Sequence, residues 1–119
     1  YLHERVRREF WGYAAGERLA IEDLFRVKYQ GIRPAIGYPS IPDQLLNHEL
    51  ERLLGMSRVG ITLTENGAMS PTAAVSGLYI AHPASQYFMI GRIDEEQLAD
   101  YATRRGLSLE RARACVKTR

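Results

Sequence analysis

The chain has 119 residues, 45% of them hydrophobic and 25% charged, with a formal net charge of +2. That is enough for one domain with a modest core. The near balance of interspersed charge excludes the clustered basic face of a nucleic-acid binder, and no run is long enough to span a membrane. Cys115 stands alone, so a disulfide framework or cysteine-based zinc site within the chain is excluded. A single cysteine and the lack of a signal-peptide pattern fit a reducing cytoplasm.

In chain order, Leu2, Val6, Phe10, Tyr13 and Ala14 recur at helical spacing and predict an amphipathic helix over residues 2–14, stopped by Gly16. Its Arg5–Arg8 run reads as a solvated face, with Glu4 and Glu9 beside it, and His3 as a solvated residue. The chain opens within this helical pattern, which reads as a piece of something longer. A short helix is expected over residues 20–29 with Ile21, Leu24 and Phe25 facing inward.

Gly31 to Asp43, GIRPAIGYPSIPD, is dense in proline and glycine. Pro34, Pro39 and Pro42 fix their own φ and push Arg33, Tyr38 and Ile41 toward extended geometry. An extended segment outside a regular ladder leaves backbone groups free for a ligand. Gly37 permits a close approach, and Arg33 offers a planar fork suited to a carboxylate. A rigid linking turn accounts for the same composition.

Asp43 then reads as the N-cap of a helix with Leu46, Leu50, Leu53 and Leu54 on one face and Gly55 at its end. Val59, Ile61 and Leu63 alternate as in a half-buried strand, and Asn66-Gly67 starts a turn. Residues 73–81 predict a second strand, with a bulge or close approach at Ser76-Gly77. His82 to Ser85 make a turn, and residues 87–93 predict a third strand, hairpin-paired with the second. Alternation there would turn one of Tyr87 and Phe88 inward. Asp94 and Gln97 form a capping box for a helix ended by Gly106, and Ser108 caps a last helix through the tail. Cys115 has no histidine near it in sequence and is a poor candidate nucleophile. The class is α+β, a small antiparallel sheet with flanking helices. No G-x-G-x-x-G or P-loop pattern is present.

Four blocks carry a resemblance. RPAIGYPSIPD at Arg33–Asp43 resembles the R-x-x-x-G-Y signature of the activation domain of cobalamin-dependent methionine synthase. LTENGAMSPTAAVSGLYIAHPASQYF at Leu63–Phe88, IDEEQLADYATRRG at Ile93–Gly106 and VRREFWGYA at Val6–Ala14 resemble it too, in family order. The chain departs from the family pattern at Ser70, Leu78 and Phe88, where larger aromatic side chains or a second tyrosine are usual.

The resemblance implies a helmet-shaped module on a twisted antiparallel sheet that binds S-adenosyl-L-methionine. Such a module docks over cobalamin held by the cobalamin-binding domain of the same enzyme. With one electron from flavodoxin or a reductase, it restores methylcobalamin from cob(II)alamin. It places Arg33, Ala35, Gly37, Tyr38, Tyr87 and Phe88 at the ligand, and implies no catalytic acid or base and no metal ligand. Arg33 would pair the carboxylate, Ala35 and Gly37 would bring backbone close, and Phe88 would form an apolar wall. Tyr38 and Tyr87 would face the sulfonium, each contact contributing roughly 0.5–2 kcal/mol. It also implies further residues upstream, including an acidic contact to the ligand's amino group, so residues 1–119 read as the C-terminal portion of one activation domain. A stand-alone or truncated module of this fold without catalytic activity, or an interaction domain with a structural proline loop, remain alternatives.

Overall fold

The computed structural model describes residues 1–116. The chain divides into two compact units. Unit 1 takes Tyr1–Arg33 and Leu78–Tyr87; unit 2 takes Pro34–Gly77 and Phe88 onward. The class is α+β, with short helices and a small antiparallel sheet.

In unit 1 the first helix is shorter than its periodicity predicts. Helix α1 covers Leu2–Arg5 and widens into a π-type turn over Val6–Phe10, where the Trp11 N–H donates to the Val6 carbonyl at 3.0 Å. The buried face is not the one the apolar spacing implies. His3, Val6 and Arg7 are buried, while Leu2 and Phe10 are exposed. His3 is therefore not solvated, and the Arg5–Arg8 run is not a uniformly solvated face. Arg7 turns inward because Glu17 meets it there.

Helix α2 is one turn, Ile21–Phe25, and its apolar residues do not face inward: Ile21 and Phe25 are exposed. It stops where Val27 takes a φ of 53°, which a helix cannot continue. Beyond it, Ile32 and Ile80 form an antiparallel bridge through N–H···O bonds of 2.9 and 3.0 Å. The close approach needs a residue without Cβ beside it. Gly31 has φ of 92°, and a Cβ there would lie 2.5 Å from the Ile80 carbonyl oxygen. Gln30 Nε2 donates to the Ala81 carbonyl at 2.6 Å. His82 to Ser85 form the expected turn.

In unit 2 helix α3 covers Leu46–Leu54 and ends at Gly55 in the left-handed region, as predicted. Asp43 is not its N-cap, since the helix starts three residues later. Leu53 and Leu54 are exposed, so the four-leucine face is only partly used. A 3₁₀ turn over Met56–Val59 replaces the start of the predicted strand. The sheet is β1, Thr62–Leu63, against β2, Met69–Ser70, with Thr62 opposite Ser70 and Leu63 opposite Met69. The Asn66-Gly67 turn joins them: Thr64 N–H donates to the Ala68 carbonyl and Gly67 N–H to the Thr64 carbonyl, both at 2.9 Å.

The predicted strands over 73–81 and 87–93 and their hairpin do not form. The backbone of the first is used elsewhere: in unit 2, Gly77 bridges Ala35 and the Ser76 carbonyl accepts from Ile36 N–H at 3.2 Å. Gly77 is the close approach its sequence suggested, since a Cβ there would meet the Pro34 carbonyl oxygen at 2.7 Å. Of the second, Ile90 donates its N–H to the Pro39 carbonyl at 2.9 Å.

Helix α4, Glu95–Arg105, carries the predicted capping box and closes at Gly106. Helix α5, Leu109–Cys115, starts on the Ser108 hydroxyl. Its predicted continuation through the tail falls partly on residues 117–119, outside the described residues. Leu98, Ala102, Ala112 and Val116 form the core between α4 and α5, with Ile93, Tyr101 and Leu107 packed around it. Fully burying a side chain such as Leu98 contributes about 1.5–3 kcal/mol.

Candidate functional site

Arg33 ends the first part of unit 1, directly after the Ile32 bridge that pins its backbone. Its side chain is exposed and makes no ion pair or hydrogen bond among the described residues. It lines a hollow of about 240 Å³ with Tyr1, Glu4, Arg7, Leu24, Phe25 and Tyr29. A guanidinium without a partner at the rim of a concave, partly aromatic wall is suited to a carboxylate or another small planar anion.

Sequence reasoning missed what stands beside it. Arg7 is 2% exposed and makes a two-pronged ion pair with Glu17, Nε at 2.8 Å and Nη2 at 2.6 Å, while its guanidinium lies 4.3 Å from the Tyr29 ring centre. His3, also 2% exposed, packs edge-on to Tyr29 at 5.1 Å and against Tyr79 at 5.0 Å. Neither His3 ring nitrogen has a hydrogen-bond partner among the described residues. Burial, with the nearby Arg7 and Arg33 charges, pushes the His3 pKa down to about 4. Nothing local in the sequence marks these contacts, because Glu17, Tyr29 and Tyr79 lie 10 or more positions from their partners.

In unit 2 the proline and glycine chemistry of the loop is resolved into two tight turns. Gly37, at φ of 84°, donates its N–H to the Ile41 carbonyl at 2.8 Å, and Ile41 returns a bond of 2.8 Å to the Tyr38 carbonyl. An added Cβ at Gly37 would meet only Gln44 at 3.6 Å, so the glycine is required by its backbone angle and not by crowding. Ala35, Gly37 and Tyr38 share the wall of a hollow of about 430 Å³ whose other side includes Gln44, Asn47, Met69 and Val75. The Tyr38 ring is exposed. Asn47 stiffens this wall: its amide donates to the Gly67 carbonyl at 2.9 Å and its oxygen accepts from the Ser76 hydroxyl at 2.6 Å.

Tyr87, in unit 1, and Phe88, in unit 2, are both exposed. The expected one-in, one-out alternation is absent because no strand pairs there. Of the expected site residues, Ala35, Gly37 and Tyr38 come together in one hollow and Arg33 lines another, while Tyr87 and Phe88 border neither.

A third hollow, about 540 Å³ and mostly apolar, lies in unit 2 between the Ser40–Asp43 segment and α4. At its wall the buried Asp43 carboxylate accepts from Leu45 N–H at 2.9 Å, Tyr101 Oη at 2.5 Å and Arg105 Nε at 3.1 Å. Burial and the bond to Asp43 push the Tyr101 pKa up to about 12. Burial also raises the Cys115 thiol, which removes thiolate character from it. Among the described residues no cluster of three His, Cys, Asp or Glu side chains is placed to hold a metal ion, and no helix is long and apolar enough to cross a membrane.

An α+β module with an exposed, unpaired arginine at one hollow and a glycine-tyrosine loop at another is the class these features define. Residues 1–106 match the family described as vitamin B12 dependent methionine synthase, activation domain. Among solved structures, the crystal structure of the MetH reactivation domain bound to AdoHcy is similar, with a TM-score of 0.87 and 46% sequence identity over 97% of this chain. This chain spans 36% of the length of that one. The chain belongs to the activation-domain family of vitamin B12 dependent methionine synthase.

Proposed function

We propose that the chain is the C-terminal portion of an activation domain that binds S-adenosylmethionine for the reductive reactivation of cob(II)alamin to methylcobalamin. One observation carries the reading: the 46% identity to a reactivation domain solved with AdoHcy, which is S-adenosylmethionine after it has given up its methyl group. The residues fit the ligand. Arg33 is an exposed guanidinium free to pair a carboxylate. Gly37 holds the loop in a conformation that other residues rarely adopt, and Ala35 adds little bulk beside it. The exposed rings of Tyr38, Tyr87 and Phe88 are available to a sulfonium or an adenine.

The sulfonium supplies an electrophilic methyl group, and its displacement needs no general acid or base. The work left to this chain's residues is to bind the ligand and orient it, which can account for a large share of a barrier reduction. The partners under this reading are the cobalamin-binding domain of the same enzyme and, as electron donor, flavodoxin or a reductase. The compartment is the cytoplasm.

The test is Arg33→Ala in the protein produced from its full gene. Loss of one charge-assisted pair costs roughly 1.5–3 kcal/mol, so calorimetry should show S-adenosylmethionine binding weakened by about one to two orders of magnitude. Reactivation should slow while methyl transfer to homocysteine by the reduced enzyme continues. Arg33→Lys should recover only part of the loss. Normal binding by an alanine variant that melts much earlier would make Arg33 a loop staple and end this assignment.

A further inference from the structure

The proposed function makes no use of Arg7, although Arg7 lines the same hollow as Arg33. Glu17 occupies its Nε and Nη2, and Tyr29 holds one face of the guanidinium. Nη1 makes no hydrogen bond among the described residues. The hollow's carboxylate, Glu4, is turned to Arg8 at 2.9 Å. Two guanidiniums thus border one small concavity, and neither is paired with the acid in its wall.

A buried ion pair is seldom the most stable solution, since well-packed apolar residues of the same volume hold a fold as well or better. Arg7 lines the hollow with Nη1 left without a partner among the described residues, and a ligand would give that group its use. We propose that Arg7 is a positioning residue for the anion end of the ligand: fixed by Glu17 and Tyr29, its unused edge and its charge form the wall against which Arg33 receives a carboxylate. This rests on the reading that Arg33 pairs the carboxylate of S-adenosylmethionine. Arg7 then sets selectivity for ligands that carry that group.

The experiment compares S-adenosylmethionine with decarboxylated S-adenosylmethionine, by calorimetry, on the protein produced from its full gene. The double variant Arg7→Met with Glu17→Gln removes the pair without stranding a buried charge. Its affinity for S-adenosylmethionine should fall roughly three- to tenfold, the effect of one polar contact, and its affinity for the decarboxylated ligand should stay the same. A purely structural role would lower both together; that result, or no change in either, overturns the proposal. If the double variant does not fold, Arg7→Lys decides, because it keeps the charge and loses the fork. Intermediate discrimination is expected there, and discrimination equal to the parent protein overturns the proposal. A parent protein that fails to distinguish the two ligands, or binds neither, fails the Arg33 reading itself, and this is seen before any Arg7 variant is made.

Discussion

His3 shows how one side chain couples unit 1 to pH. It is packed between two tyrosines and within the field of two arginines, so folding disfavours its protonated form. Its folded pKa of about 4 lies below the 6.5 of a free histidine. The unfolded chain therefore binds the extra proton first. Stability from neutral His3 is complete above about pH 6.5 and declines as pH falls toward 4, by roughly 1–3 kcal/mol in all. Amide exchange at Ile32 and Ile80, whose mutual bonds belong to unit 1, should show lower protection at pH 5 than at pH 7 after correction for intrinsic rates. His3→Phe keeps the ring packing and should flatten that dependence; an unchanged slope would exclude His3 as its source. Asp43 teaches a related lesson. Its position after Pro42 reads as a helix cap, yet it faces Arg105, 62 positions on, and Tyr101. A carboxylate's long-range partners leave no trace in its neighbours along the chain.

Among the elements, several helix ends were legible and the pairings were not. The Gln97 N–H donates to the Asp94 carboxylate at 2.8 Å and the Asp94 N–H to the Gln97 side-chain oxygen at 3.1 Å, and Gly55, Gly106 and Ser108 close or open helices where their chemistry places them. These caps are settled within four residues, so local sequence is enough to place them, whereas at Asp43 distant partners decide. Strand pairing is settled by competition among distant segments. Residues 73–81 have strand composition, but Ile80 bonds Ile32 and Gly77 meets Ala35, which leaves the 87–93 segment without the hairpin its pattern implies. The helix over 2–14 stops short as well: Arg7 turns inward to Glu17 and Tyr29, while Leu2 and Phe10 stay exposed. Asp94→Ala should cost about 1 kcal/mol of stability through loss of the capping box. Urea denaturation followed by far-ultraviolet circular dichroism measures it, and an unchanged midpoint would mean that α4 is held by its core contacts alone.

For the molecule as a whole, class and family were legible; the candidate site residues were named from sequence as residue types, and their placement came from the folded chain. The R-x-x-x-G-Y loop brings Ala35, Gly37 and Tyr38 to one wall, as its glycine and prolines suggest. The second arginine beside Arg33 came only from the folded chain. The two units also differ in where helix and aromatic residues lie. Trp11, the chain's single tryptophan, sits in unit 1 and is 64% exposed, whereas α3, α4 and α5 all lie in unit 2. Intrinsic indole emission should therefore begin red-shifted and move little on heating, while the helical dichroism collapses. A fluorescence melt of these 119 residues will look flat whatever their stability, and a large blue-to-red shift on unfolding would show that the indole is shielded in solution. An optical assay that follows the whole chain needs a reporter placed on the α4–α5 side.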